Sequence, residues 1–216
     1  MATEGPGGGY GGLQVVLAGN IASGKSTLAR GLADRLGLAL IEESVGDNPY
    51  LDRFYADMPR WAFHLNMYFL GSRSQAILDA TTSGRGGVFD RSLYEDRLFV
   101  DLARADGITP EDNYAVFRSL YDVLERVLPP PSILIYLEAP TDVLRRRITA
   151  RGRAFEQELT VEYLDRIQGA YRDWVSTFDR CPVLRVDAEA NDYRTDERSL
   201  ELLYKQVQRR LGSATG

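Results

Sequence analysis

The run Gly19-Asn20-Ile21-Ala22-Ser23-Gly24-Lys25-Ser26 constrains this chain more than any other: two glycines enclose four residues, and Lys-Ser follows at once. Leu13-Gln14-Val15-Val16-Leu17-Ala18 before it reads as a buried strand, and Ser26-Thr27-Leu28-Ala29-Arg30-Gly31-Leu32-Ala33 after it opens a helix. In a strand–loop–helix of this kind the loop's backbone N–H groups and the helix N-terminus converge on an anion. Of the 26 basic residues only Lys25 and Lys205 are lysine; all the rest are arginine. The exception at Lys25 suits a compact ammonium that must reach nucleotide phosphates, and Ser26 would place its hydroxyl on Mg²⁺. Gly19 through Ser26, with Thr27, are therefore candidate nucleotide-binding residues.

Further short apolar runs predict strands at Gln14–Ala18, Ala39–Ile41, Gly87–Phe89, Ile133–Leu137 and Val183–Val186. Helices are expected at Ser26–Leu36, Arg60–Asp79, Leu93–Ala105, Pro110–Val127, Thr141–Ala150, Thr160–Phe178 and Glu197–Leu211, with Pro110 in the first turn of its helix. Strands alternating with helices imply an α/β fold: a five-stranded parallel sheet flanked by helices and joined by right-handed crossovers. Ligands of such sheets bind beyond the carboxyl ends of the strands. Those ends carry the glycine loop, then Glu42-Glu43-Ser44, then Asp90-Arg91-Ser92, then Glu138-Ala139 and a helix leading into arginines. A chain of 216 residues fits one domain, expected over 13–211, with flexible tails at 1–12 and 212–216.

Composition removes several functions. The formal charge of −5 supplies no broad basic field for a nucleic-acid polymer. Cys181 is the only cysteine and His64 the only histidine, so an internal disulfide, thiolate metal cages and multi-histidine zinc sites are excluded. His64 is expected to be structural. No window approaches a membrane span and the glycine-rich N-terminus lacks a signal-peptide core, so cytoplasmic residence is the expectation. No Asn-Lys-x-Asp element for guanine is present, and Asp34-Arg35-Leu36-Gly37 falls at a helix end where a GTPase switch would not lie. A small-molecule kinase instead needs a carboxylate facing the γ-phosphate.

Taken in order, the segments resemble the deoxynucleoside kinase family over about Leu13 to Val186. The marks are the glycine loop, Glu43-Ser44-Val45 followed by Asn48-Pro49-Tyr50, Phe54-Tyr55 and Arg60-Trp61-Ala62-Phe63. Arg73-Ser74-Gln75, Asp90-Arg91-Ser92-Leu93-Tyr94-Glu95-Asp96, and Arg151-Gly152-Arg153 with Glu156 complete them. The Asn-Pro-Tyr segment and short lid look most like the bacterial deoxyadenosine and deoxyguanosine kinase branch. The resemblance implies a P-loop kinase fold with a short arginine-rich lid, ATP as donor with Mg²⁺, and phosphorylation of a deoxynucleoside 5′-hydroxyl in salvage.

By the same resemblance Glu43 is the general base; adjacent Glu42 is the competing candidate, disfavoured because neighbours on an extended segment point oppositely. Asp90 joins Ser26 as a metal-site residue, and Arg91 contacts the phosphates, with Lys25 the third catalytic residue. Arg147, Arg151 and Arg153 close over ATP, whereas Arg145 and Arg146 share that helix as solvated charges. Tyr55 and Glu156 hold the 3′-hydroxyl; Leu51, Leu65 and Val100 line the base pocket. Arg73 and Asp96 are expected to pair and read the base. Asn66 stands where the family has glutamine, one methylene shorter, which leans the reading towards deoxyadenosine or deoxyguanosine. The resemblance also implies a dimer through long helices, Arg60–Asp79 and Pro110–Val127, with an identical or a related subunit. The alternatives are a nucleoside monophosphate kinase of thymidylate kinase type and a non-catalytic nucleotide-binding module.

Lys25→Ala is expected to lower turnover by at least about 10²-fold, the usual cost of losing one charge-stabilising donor. Its circular dichroism should remain that of the parent. Near-parental steady-state rates would overturn the loop assignment.

Overall fold

The computed structural model describes residues 12–43, 48–191, 193 and 196–213. Ser44 and Val45, and the tails at 1–11 and 214–216, lie outside the described residues. Five parallel strands, β1 (Gln14–Gly19), β2 (Leu40–Ile41), β3 (Gly87–Asp90), β4 (Ile133–Glu138) and β5 (Val183–Asp187), form one sheet in the order β2-β3-β1-β4-β5. The five-stranded parallel sheet expected from the apolar runs is thus present. Helices α1 (Lys25–Leu36), α2 (Leu51–Ala56), α3 (Met58–Thr82), α4 (Leu93–Ala105) and α5 (Glu111–Val127) precede β4 or flank it in sequence. Then come α6 (Thr141–Arg151), α7 (Ala154–Gln157), α8 (Val161–Thr177) and α9 (Glu197–Ser213).

The period-two alternation of β1 divides the core. Val15 and Leu17 point into one apolar layer with Leu28 and Leu32 of α1, Leu144 of α6 and Leu203 and Val207 of α9. Val16 and Ala18 point into the other, with Leu70 and Ile77 of α3, Leu93 of α4, Phe117 and Tyr121 of α5 and Tyr171 of α8. Both faces are covered, which is why the strands read as continuous apolar runs. Each such side chain contributes about 1.5–3 kcal/mol by leaving water.

Boundaries shift where local chemistry decides them. The helix expected from Arg60 begins earlier, at Met58, because the Asp57 carboxylate accepts from Arg60 N and Pro59 occupies the first turn. Pro110 is not in the first turn of α5 but at its cap, with ψ 151°, and its carbonyl accepts from Tyr114 N at 2.9 Å. Helices α2 and α7 have no counterpart in the hydrophobic pattern; at six and four residues they are too short to display a period. The segment at α2 is held by stacking of Tyr50 on Trp61, with ring centroids 5.9 Å apart, and His64 lies against both rings.

The register of the central pairs positions the functional residues. β1 and β3 align Leu17 with Asp90, and β1 and β4 align Gly19 with Leu137. The loops after β1 and β3 therefore open side by side, at the reversal of strand order where ligands of such sheets bind.

Candidate active site

Gly19 ends β1 with φ +149°, and a Cβ there would sit 2.6 Å from the Leu137 carbonyl, so only glycine lets the chain turn against β4. Ala22 follows in the left-handed region, at φ 61°, and Gly24 caps α1. Lys25 folds back over the loop, donating to Gly19 O at 2.7 Å and Asn20 O at 2.9 Å. Its pKa is lowered to about 8 by burial and by Arg91, against the opposing pull of Glu95, Asp90 and Glu43. The Asn20 side chain faces away from the loop's mouth into the protein: it donates to Leu164 O at 2.9 Å and Gln168 Oε1 at 3.2 Å, and accepts from Ile21 N. Gln168 in turn donates to the Tyr136 hydroxyl at 2.9 Å. Of Asn20, only the backbone is placed to meet a nucleotide.

Ser26 donates to Asp90 Oδ2. These are hard oxygen donors beside the phosphate loop, the type Mg²⁺ takes from protein when substrate phosphates and water complete its shell. No cluster of three acidic, histidine or cysteine ligands occurs among the described residues.

Across from the loop lies Glu43. Its carboxylate is ion-paired to Arg73 and lies 3.6 Å from Arg91 Nη1. Burial by itself would raise its pKa, but Arg91, Arg73 and Lys25 prevail and hold it below the ordinary carboxylate range. Glu42 points outwards, 61% exposed, and pairs with Arg30 at 2.8 Å. The two neighbours thus face opposite ways, and the inward one is Glu43. Arg73 is also ion-paired to Asp96, which is buried, and stacks over Phe69 at 4.8 Å. Asp96 Oδ2 and Arg73 Nε are buried without a hydrogen-bond partner among the described residues. Arg91 has φ 82°, a strained conformation for a non-glycine residue, and its guanidinium rests 4.9 Å over Phe99. Burial disfavours its charge, but Glu43, Tyr171, Glu95 and Asp90 outweigh this and keep it cationic.

These groups line one cavity of about 460 Å³. Leu51, Tyr55, Leu65 and Asn66 form its other wall, and Arg151, Arg153 and Glu156 close its rim. Glu156 is buried and pairs with Arg151 at Oε2 and with Arg153 at 3.5 Å. The Tyr55 hydroxyl is pushed up to about 12 by burial and by the nearby Tyr163 and Glu156. Of the expected residues outside the glycine loop, two stand elsewhere. Val100 belongs to the core, and from α4 it is Phe99 that faces the cavity, because the helix turns about 100° per residue. Arg147 donates to Ser23 O at 3.1 Å and Ala188 O at 2.6 Å, bracing the loop from behind rather than lining the cavity. His64 is outside the cavity too.

Sequence reasoning passed over Phe54, Met58, Phe69, Phe99 and Tyr163, all of which line the cavity. The readable signal for Phe69 was its place on one face of α3 with Leu65, Asn66 and Arg73, spaced by three and four residues. Glu95 was also passed over. It is fully buried next to the loop, accepts from the Tyr171 hydroxyl, and lies 3.5 Å from Gly19 N. An acid amid Leu93, Tyr94 and Leu98 was its mark in the sequence.

Comparison with known proteins bears on this geometry. Residues 15–211 match the sequence profile of the family described as Deoxynucleoside kinase. The chain is 38% identical over 196 residues to the deoxyadenosine/deoxycytidine kinase of Bacillus subtilis (strain 168), covering 89% of this chain and 90% of that one. It is 35% identical to the deoxyguanosine kinase of Lactobacillus acidophilus, covering 89% and 88%. The solved structure of deoxyadenosine kinase from M. mycoides with products dCMP and a flexible dCDP bound is similar at a TM-score of 0.79 and 28% identity, covering 91% of this chain and 99% of that one.

Glu43→Gln keeps shape but removes the proton acceptor, so kcat should fall by about 10²–10⁴-fold, the span of a general base. Glu42→Gln should leave kcat unchanged. The reverse pattern in steady-state assays would exchange their roles.

Proposed function

The chain belongs to the deoxynucleoside kinase family, so it is a phosphotransferase acting on nucleoside 5′-hydroxyls in salvage; we propose that its acceptor is a purine deoxynucleoside, deoxyadenosine ahead of deoxyguanosine, and its donor ATP. The observation that carries this reading is Glu43, a carboxylate held ionised between two arginines in the cavity that Lys25 also lines. An ionised acid there serves a neutral hydroxyl and repels an incoming phosphate, which disfavours a monophosphate as acceptor. With Lys25 and Arg91 intact beside it, a non-catalytic module is disfavoured as well.

In the proposed reaction the loop amides and Lys25 hold the donor's phosphates, and Arg91 holds the transferred group. Glu43 accepts the 5′-hydroxyl proton. Its depressed pKa makes it a weak base, which suffices when the transition state is loose and the proton leaves late. Ser26 and Asp90 would hold Mg²⁺, which neutralises phosphate charge when bound. Tyr55 and Glu156 position the sugar through its 3′-hydroxyl. Arg151 and Arg153 form the lid and turn from Glu156 to the phosphates. Leu51 and Leu65 flank the base. We take residues 13–211 as one catalytic unit, working in the cytoplasm.

Base choice rests on Arg73 and Asp96. Arg73 Nε is a donor and Asp96 Oδ2 an acceptor, both buried without a partner among the described residues. Adenine presents the complementary pair, an amino group beside a ring nitrogen, and so does cytosine; guanine presents two acceptors on its O6/N7 edge. Asn66, one methylene shorter than glutamine, leaves the larger space that favours adenine over cytosine.

The exposed face of α5 supports a homodimer. Val116, Leu120, Val123 and Val127 are all exposed and recur at spacings of four, three and four, a stripe along one side of the helix. Leu78 is exposed on α3, which packs against α5. A second copy of the same stripe is the self-complementary occupant, as in a two-fold interface.

A panel of four deoxynucleosides with Mg-ATP tests the acceptor: kcat/KM should be highest for deoxyadenosine, and a highest value for deoxyguanosine refutes the edge argument. Asn66→Gln should improve deoxyadenosine and deoxycytidine relative to deoxyguanosine by a factor of about ten, a modest part of what a bidentate amide contact supplies. Uniform change across all four would mean that Asn66 does not read the base. Light scattering should give twice the chain mass for the parent and the chain mass for Leu120→Glu with Val123→Glu; a monomeric parent removes the dimer.

A further inference from the structure

Helix α8 grips the phosphate loop at two consecutive residues, and one of the two grips runs through a carboxylate with no assigned role. At Asn20 the grip is the side-chain amide, bonded to Leu164 O and Gln168 Oε1. One turn further along α8, the Tyr171 hydroxyl donates to Glu95 Oε1, and the same oxygen faces Gly19 N at 3.5 Å. Tyr171 and Glu95 are both fully buried. The tyrosine ring is fixed by Tyr136, stacked at 5.9 Å, and by the edges of Phe99 and Trp174. Its hydroxyl therefore has one aim, and it holds Glu95 in one orientation.

The second oxygen of Glu95 is buried with no hydrogen-bond partner among the described residues. A carboxylate so placed is costly to bury and calls for a role other than packing. The groups around it provide one. Lys25, Arg91 and Arg73 all feel its charge, and Glu95 is the foremost of the acids opposing the loss of charge on Lys25. Tyr171, in turn, is kept firmly neutral by burial and by Glu95, so it always donates.

We propose that Glu95 and Tyr171 are a positioning pair for the phosphate donor: Tyr171 orients Glu95, which anchors the first amide of the loop and offsets the repulsion between Lys25 and Arg91. The inference rests on the reading of ATP as donor given above. The pair lies behind the loop and touches neither nucleoside nor phosphate. Loss of it should loosen the donor site first, since Glu95 meets Gly19 of the loop, whereas Asn66, Tyr55 and Leu65 stand on α2 and α3.

The test is steady-state kinetics on the full chain with Tyr171→Phe and Glu95→Gln, both substrates being varied. Tyr171→Phe removes one oxygen and keeps the packed ring, so it carries the test if Glu95→Gln fails to fold. Each variant should raise KM for Mg-ATP by about tenfold and lower kcat by a smaller factor, as expected when loop alignment is lost. KM for deoxyadenosine should stay within about twofold, the split that separates donor positioning from general damage. The double variant should be no worse than Glu95→Gln alone, because the hydroxyl acts through the carboxylate. Unchanged KM for Mg-ATP in folded Tyr171→Phe, or equal rises for both substrates, overturns the proposal. If the parent itself fails to phosphorylate any deoxynucleoside, the reading under Proposed function falls. Calorimetric titration of parent and Tyr171→Phe with Mg-ATP then decides the positioning pair on its own, equal affinity overturning it.

Discussion

Electrical balance within a buried cluster of charges governs this molecule. Lys25, Arg73 and Arg91 are gathered with Glu43, Asp90, Glu95 and Asp96, each of them buried or mostly so. A single charge moved into such surroundings would shed its proton or take one up, or the fold would open to let water in. Here every charge is tolerable because its opposites are in reach. Arg73 shows the interdependence best, being bonded at once to Glu43 and Asp96. Deleting one member of such a buried set typically costs about 3–5 kcal/mol, because the rest are left uncompensated. Glu43 at one end of Arg73 and Asp96 at the other are therefore parts of one electrostatic object.

The scaffold supplies these charges from five separate segments: the first residue of α1, the ends of β2 and β3, the middle of α3 and the first turns of α4. The two apolar layers around the sheet fix those ends rigidly. Among the described residues, left-handed backbone at non-glycine positions occurs only at the site. Arg91 and Ala22 take left-handed backbone angles that an ordinary turn would assign to glycine. Arg91 keeps its side chain in spite of this, since the guanidinium is what the position is for, and its stacking on Phe99 together with Glu43 offsets the strain.

The sequence made the loop legible because spacing alone defines it, and it made the sheet legible because strands covered on both faces are uniformly apolar. Glu43 was separable from Glu42 by the alternation of an extended chain, and Arg73 with Asp96 by charge and family position. What stayed hidden depends on distance in the chain. Asn20 meets Leu164 and Gln168 across 144 and 148 residues, and Arg147 meets Ser23 across 124; no local pattern encodes such bonds. Val100 and Phe99 were confused because a helical position one residue off changes face, a point that family position could not resolve. Helices α2 and α7 were missed because so few residues cannot repeat a period.

The pairing of β1 with β3 has a consequence that goes beyond scaffolding. Leu17 stands opposite Asp90, and that alignment is what brings the Asp90 carboxylate to the Ser26 hydroxyl. Side chains on a strand alternate, so sliding β3 by a single residue would turn Asp90 into the apolar layer and offer Phe89 to the Ser26 hydroxyl instead. Sheet register thus behaves as a vernier scale, with chemistry engraved on one of its marks. A molecule that collapsed with β3 one notch out would be compact, helical and inert. For this chain catalytic turnover is itself a count of correctly aligned strands, a finer gauge of the native state than any measure of compactness.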